Sequence, residues 1–260
     1  MPRTPVPAGL PGRVLDALGR STATLARAVD RRLDALGLAP PPLDLPPGVR
    51  DDLREVFAGT VDPARVTIRR GHVPGVPHRR AFALPGLVYL GADPGVVGVP
   101  GSRAPDGSAP DGSAPDGSDP DGSDPAAVRP RATPTLVHEL VHVWQGRFLG
   151  PRYVVRALGE QVRLGRRAYD WRAALERRDA AHGSGTGHGS GTARRRGATR
   201  ARTALPVEAH AQLVSEAYAA RYGPTRSPAL SGRDEHLRAV EEVLSGLRAG
   251  DASTLRGRTV

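Results

Sequence analysis

The chain of 260 residues contains no cysteine, no lysine and no asparagine, and its aromatic residues number only 3 Phe, 2 Trp and 5 Tyr. Without cysteine it can form no disulfide, no thiolate zinc site and no iron–sulfur centre, so a metal must be bound by histidine, aspartate or glutamate. No run of about 18 apolar residues occurs, and the N-terminal residues lack the apolar segment of a signal peptide. We therefore expect a cytoplasmic protein without a transmembrane segment, with export by a specialised system left open.

The charge balance is strongly basic, with 37 basic against 27 acidic side chains and a formal net charge of +10. Every basic side chain other than histidine is arginine, a composition typical of a GC-rich genome. The charge is therefore weak evidence for a particular partner. We do not expect nucleic-acid binding.

Two low-complexity segments interrupt the chain. Residues 101–125 mostly repeat the pentapeptide (Ala/Asp)-Pro-Asp-Gly-Ser, and residues 182–204 are rich in Gly, Ser and Arg. Neither segment carries enough apolar residues to form a core, so both are predicted to be disordered insertions. They fall within a main domain at 44–222, which follows an amphipathic helix and Pro-rich linker at 1–43 and precedes a C-terminal helix and tail at 223–260.

The spacing of apolar residues predicts a mostly helical chain with a few short strands. We expect helices at 11–36, 47–58, 134–148, 152–180, 206–221 and 233–248, and extended segments at 65–68, 81–84 and 87–90. A small sheet surrounded by helices is typical of an α+β fold. The helix within 1–43 is expected to pack on the domain.

The most informative motif is HExxH, formed by His138, Glu139 and His142. Thr133 and Pro134 give this segment a helix start signal. Histidines at positions i and i+4 of a helix emerge from one face and can bind the same Zn²⁺. The intervening glutamate can reach a metal-bound water and act as its general base. The motif therefore predicts a zinc site in which Glu139 is catalytic.

A catalytic zinc needs a third protein ligand. The longer metzincin motif is excluded, because Gln145 and Phe148 occupy the positions of its Gly and His. The residues themselves leave two carboxylates open, Glu160 and Glu208. Weaker candidates are Asp170, Glu216 and His210.

Two blocks, Arg80–Leu90 and His138–Gln145, together resemble the compact bacterial gluzincin-like (minigluzincin) domains associated with contractile injection systems and polymorphic toxins. Shorter blocks at 153–161, 168–170 and 207–211 extend the resemblance over about 45–222. The resemblance implies a zincin-like fold, a zinc metallopeptidase activity and Glu208 as the third ligand. His210 departs from it, since those domains have Gln there.

The same resemblance implies how a peptide or protein substrate is held. An edge strand at Leu87 to Leu90 would bind the extended peptide by strand addition. Tyr169 could donate to the oxyanion, although a tyrosine on such a helix is more often part of the core. The resemblance is equally compatible with a catalytically silent zinc-binding scaffold or cargo module of a bacterial secretion or toxin system. A secretion-system or toxin partner is therefore an open expectation.

Overall fold

The computed structural model describes residues 10–73, 80–99, 129–183, 204–222 and 234–256. The insertion predicted at 101–125 lies outside these residues. So does the insertion predicted at 182–204, apart from its first two residues and its last one. None of the helices in the described ranges has the length and apolarity that a membrane-spanning segment needs.

The described residues form eight α-helices and five short strands. The helices are α1 (Leu10–Ala35), α2 (Pro47–Phe57), α3 (Pro134–Leu149), α4 (Arg152–Leu164), α5 (Trp171–Gly183), α6 (Val207–Tyr222), α7 (Asp234–Ala249) and α8 (Ser253–Arg256). The strands are β1 (Thr67–Arg69), β2 (Phe82–Leu84), β3 (Leu87–Tyr89), β4 (Val96–Val99) and β5 (Arg129–Ala132). The prediction of a mostly helical α+β fold with a small sheet is confirmed.

The main sheet has three strands in the order β1-β3-β2. β3 pairs in parallel with β1 and in antiparallel with β2, while β4 and β5 form a separate antiparallel ribbon. The prediction that Leu87 to Leu90 form an edge strand is therefore wrong, and the edge strands of this sheet are β1 and β2. All three residues of β3 are buried, as expected for a strand with neighbours on both sides.

The predicted continuous helix at 152–180 is also wrong. The chain leaves α4 at Gly165, whose φ of 54° lies in the left-handed region, and a 3-10 helix at Gly165–Tyr169 follows. Asp170 then starts α5 by accepting a hydrogen bond from the amide of Ala173 at 3.0 Å. Glycine after a helix and aspartate before one are ordinary stop and start signals. The break turns Tyr169 towards the centre of the molecule.

The hydrophobic core is centred on α3, which packs chiefly against α6. Trp144 of α3 is fully buried, and its indole Nε1 donates to the carbonyl of Leu247 in α7 at 3.0 Å. Leu247 and Val243 are themselves almost completely buried in this core. Helix α7 therefore shares one core with α3 and α6.

Helix α1 is fixed to the domain by a close approach and by a buried ion pair. A Cβ atom on Gly19 would lie 2.0 Å from the carbonyl oxygen of Pro151. Only glycine therefore allows α1 to approach the backbone at Pro151 so closely. Asp30 accepts from Arg69 Nε at 2.8 Å and from the hydroxyl of Tyr89 at 2.6 Å. These contacts tie α1 to the central sheet and place it beside the site described next.

Candidate metal centre

The N-terminus of α3 is held at a defined position in the fold. The Thr133 hydroxyl oxygen accepts from the amide of Leu136 at 3.1 Å and donates to Asp93 at 2.6 Å. Asp93 also accepts from the amide of Gly95 at 2.7 Å. The expected N-cap is thereby joined to the segment before β4, which fixes the helix that carries the HExxH motif.

His138, His142 and Glu208 come together inside the molecule. Their ligand atoms all lie within 4.8 Å of one another. The Oε2 atom of Glu208 lies 3.3 Å from the Nε2 atom of each histidine, and the three residues are 8% exposed or less. Two imidazole nitrogens and one carboxylate oxygen form a donor set that suits a divalent transition metal such as zinc. The group could therefore bind a metal ion.

The other candidate ligands are engaged elsewhere. Glu160 accepts from the amide of Val207 at 2.6 Å and from Arg156 at 2.9 Å. Glu216 accepts from the indole of Trp171 at 3.0 Å. Asp170 starts α5, and His210 contacts Gln145 rather than either ligand histidine. Of the two carboxylates that the sequence left open, the structure brings Glu208 to the histidines.

Glu139 lies beside this group, with one carboxylate oxygen unsatisfied. It is 5% exposed, and its Oε2 atom has no hydrogen-bond partner among the described residues. Burial raises the pKa of Glu139 to about 7, although the nearby His142 acts in the opposite direction. A buried polar atom of this kind is normally satisfied by a bound water or ion. Glu139 is therefore suited to contact a water at the metal centre.

The three candidate ligands shift the pKa values of one another. Burial opposes the charge on Glu208, yet the hydrogen bonds and charges of the two histidines hold its pKa well below the usual range. Burial lowers the pKa of His138. For His142 burial acts in the same direction but is outweighed by Glu208, and the pKa rises to about 9. At neutral pH the carboxylate of Glu208 is therefore paired with a protonated His142, and a metal ion bound there would take the place of that proton.

The centre opens into a cavity of about 490 Å³. One wall carries the three candidate ligands and Glu139, and another is the edge strand β2, through Phe82, Ala83 and Leu84. Helix α4 adds a mostly apolar surface. The remaining lining residues are Thr22, Arg80, Ala81, Tyr153, Val154, Ala157, Leu158, Gln161 and Tyr169.

Two tyrosines occupy different positions in this cavity. The ring of Tyr169 lies 5.9 Å from that of His138, and its hydroxyl oxygen accepts from Gln161 at 3.2 Å. Burial, aided by the charge of Glu208, raises the pKa of Tyr169 to about 12, so the hydroxyl keeps its proton. Tyr153 instead donates to the carbonyl of Ala83 at 3.0 Å. Tyr169, whose hydroxyl also hydrogen-bonds with Glu208, is therefore the tyrosine that lies against the candidate ligands.

Two glutamines that contact the ligands were not predicted to belong to the site. Gln161 donates to the Oε1 atom of Glu208 at 2.7 Å. Gln145 accepts from His142 at 2.7 Å. Gln145 could have been suspected, because it lies three residues after His142 on a helix with apolar residues all round. No sequence signal links Gln161 to Glu208.

No family model, no curated protein and no solved structure matches this chain. The case for a metal centre therefore depends on the donor geometry, the burial of the donors and the cavity in front of them. The zincin resemblance stays a prediction from the sequence blocks.

Proposed function

We propose that this protein is a zinc-dependent peptidase that uses His138, His142 and Glu208 as metal ligands and Glu139 as its general base. The observation that carries the proposal is the buried Oε2 atom of Glu139, which has no hydrogen-bond partner among the described residues, while Glu139 lines the same cavity as the three proposed ligands. A metal site that served only structure would not need an additional buried carboxylate beside it.

When bound, zinc would lower the pKa of a coordinated water to about 7 and polarise the scissile carbonyl. The chain's own residues supply the proton transfers. Glu139 takes a proton from the attacking water and passes it to the nitrogen of the leaving amine. The amide bond is thereby replaced by a carboxylate and a free amine, with one water consumed.

The substrate is proposed to lie in extended form along β2. This strand is an edge of the sheet and lines the cavity, so its outward backbone groups face the bound peptide. The carbonyl of Ala83 already accepts from the hydroxyl of Tyr153, which makes it less available as an acceptor for the peptide. The apolar side chains of α4 favour an apolar substrate side chain next to the scissile bond.

The activity can be tested by removing and restoring the metal. Chelation of purified protein is expected to abolish cleavage of an unfolded protein substrate, and one equivalent of zinc is expected to restore it. Mass spectrometry of the products identifies the cleaved bonds. A protein that binds zinc but cleaves no member of a broad peptide library would instead be the silent scaffold or cargo module.

Tyr169 is proposed to donate its hydroxyl proton to the oxyanion formed from the scissile carbonyl. Tyr169→Phe keeps the ring against His138 but removes the donor. We expect kcat to fall by about 10²-fold with little change in KM, because this hydrogen bond is made only in the transition state. Steady-state kinetics measure both constants. Tyr222→Phe is the matched control, because Tyr222 is the last residue of α6 and does not line the cavity. Equal kcat values for the two variants would exclude the role.

A further inference from the structure

Both backbone groups of Val207 are held by buried side chains. Its amide donates to the Oε2 atom of Glu160 at 2.6 Å, and its carbonyl accepts from the Nε2 atom of Gln145 at 2.9 Å. Glu160 extends from α4 and Gln145 from α3. Val207 directly precedes Glu208, so these two contacts fix the backbone from which the third ligand extends.

The oxygen of the Gln145 side-chain amide contacts a second proposed ligand, His142. Its Oε1 atom lies 2.7 Å from the Nδ1 atom of His142. Because the Val207 carbonyl can only accept, it requires the NH₂ group of Gln145 on its side and the oxygen on the side of His142. An amide oxygen cannot donate, so Nδ1 of His142 must carry the proton. The Nε2 atom of His142, which faces Glu208 at 3.3 Å, is then the nitrogen left for a metal.

His210 reinforces this orientation of the amide. Its Nδ1 atom lies 3.3 Å from the Nε2 atom of Gln145, while its ring stacks on Trp144 at a centroid distance of 5.6 Å. An amide nitrogen can only donate, so Nδ1 of His210 is the acceptor of this contact.

We propose that Gln145 is a positioning residue that prepares two of the three metal ligands at once. It sets the tautomer of His142 through its oxygen and holds the backbone of Glu208 through its NH₂ group. Gln145 itself is fully buried and is not among the residues that line the cavity, so it acts on the metal only through its neighbours. The proposal rests on the metal site of the proposed function but not on peptidase activity.

Gln145→Met tests the proposal, because it keeps the length of the side chain and removes both hydrogen bonds. We expect its Kd for zinc, measured by chelator competition on folded protein, to rise by about 10- to 100-fold. The control is Gln212→Met, the same change on α6, where the amide bonds to Glu216 at 3.0 Å instead of to a ligand. Gln145→Asn, which is too short to span both partners, serves if the Met variant does not fold.

A second readout separates positioning from a general loss of stability. In zinc-loaded wild type, the Nδ1 proton of His142 should give a downfield, slowly exchanging NMR signal, which should disappear in Gln145→Met and persist in Gln212→Met. A wild-type Kd or an unchanged His142 signal in Gln145→Met would overturn the role of Gln145 alone. Failure of the wild type to bind zinc would overturn the metal site and the proposed function with it.

Discussion

Glu139→Gln is expected to lower peptide hydrolysis by about 10²- to 10⁴-fold without changing the zinc content of the protein. The substituted side chain has the same shape but cannot take a proton from water. Glu139 is not part of the group of three whose ligand atoms lie within 4.8 Å of one another. Loss of activity with full retention of zinc would therefore assign it to proton transfer.

The same substitution should not destabilise the fold. Glu139 is buried, and its Oε2 atom has no hydrogen-bond partner in the described part of the chain. Burying a carboxylate without a partner is costly, and a neutral amide of equal volume reduces that cost. We expect a Tm equal to or above that of the wild type, so a fall in activity cannot be attributed to unfolding.

Three quantities are measured for each variant: the initial rate on one peptide substrate, the zinc content and the Tm of thermal unfolding. Glu176→Gln is the matched control, since it makes the same chemical change at an exposed position of α5. It should keep the activity, zinc content and Tm of the wild type. Full hydrolytic activity in Glu139→Gln would rule out the proposed mechanism.

The part of the site that lies on α3 was predictable from the sequence, because its residues are close together along the chain. Thr133 and Pro134 mark the start of α3, and helical geometry then puts His138 and His142 on one face. The side chain of Glu139 follows from the same helix. Each of these inferences needs only neighbouring residues, and the structure agrees with each.

The third ligand could not be decided in this way. Glu160 and Glu208 are both acidic residues on helices, and spacing along the chain does not report distance in space. The structure places them differently: Glu208 faces the histidines, and Glu160 accepts from the amide of Val207 just before it. Such long-range pairings depend on how α3, α4 and α6 pack together.

The errors in the fold had recognisable signals. The run Leu87–Tyr89 is apolar at every position, which is typical of a central strand rather than an edge. Gly165 and Asp170 are a helix stop and a helix start within the segment predicted as one helix. Both errors affect the description of the cavity. In the structure its edge strand is β2, and the ring of Tyr169 lies beside that of His138.

Glu208→Ala is expected to abolish stoichiometric zinc binding, as is His142→Ala. Each substitution removes one of the three proposed zinc ligands. Glu208 is only 1% exposed, so a side chain from the surface cannot take its place. Elemental analysis should give about one zinc per wild-type chain and almost none in either variant. The same loss should appear as a loss of stabilisation by zinc.

The stabilisation is large enough to measure by thermal unfolding. Zinc at about 1,000 times its Kd stabilises a folded protein by about 4 kcal/mol, which corresponds to an increase in Tm of about 8–16 °C for a domain of this size. We expect that increase in the wild type and none in Glu208→Ala. Glu160→Gln is the control, because it keeps an oxygen to accept from the Val207 amide and should retain both zinc and most of the increase. If Glu160→Gln loses zinc while Glu208→Ala keeps it, the third ligand is Glu160 and not Glu208.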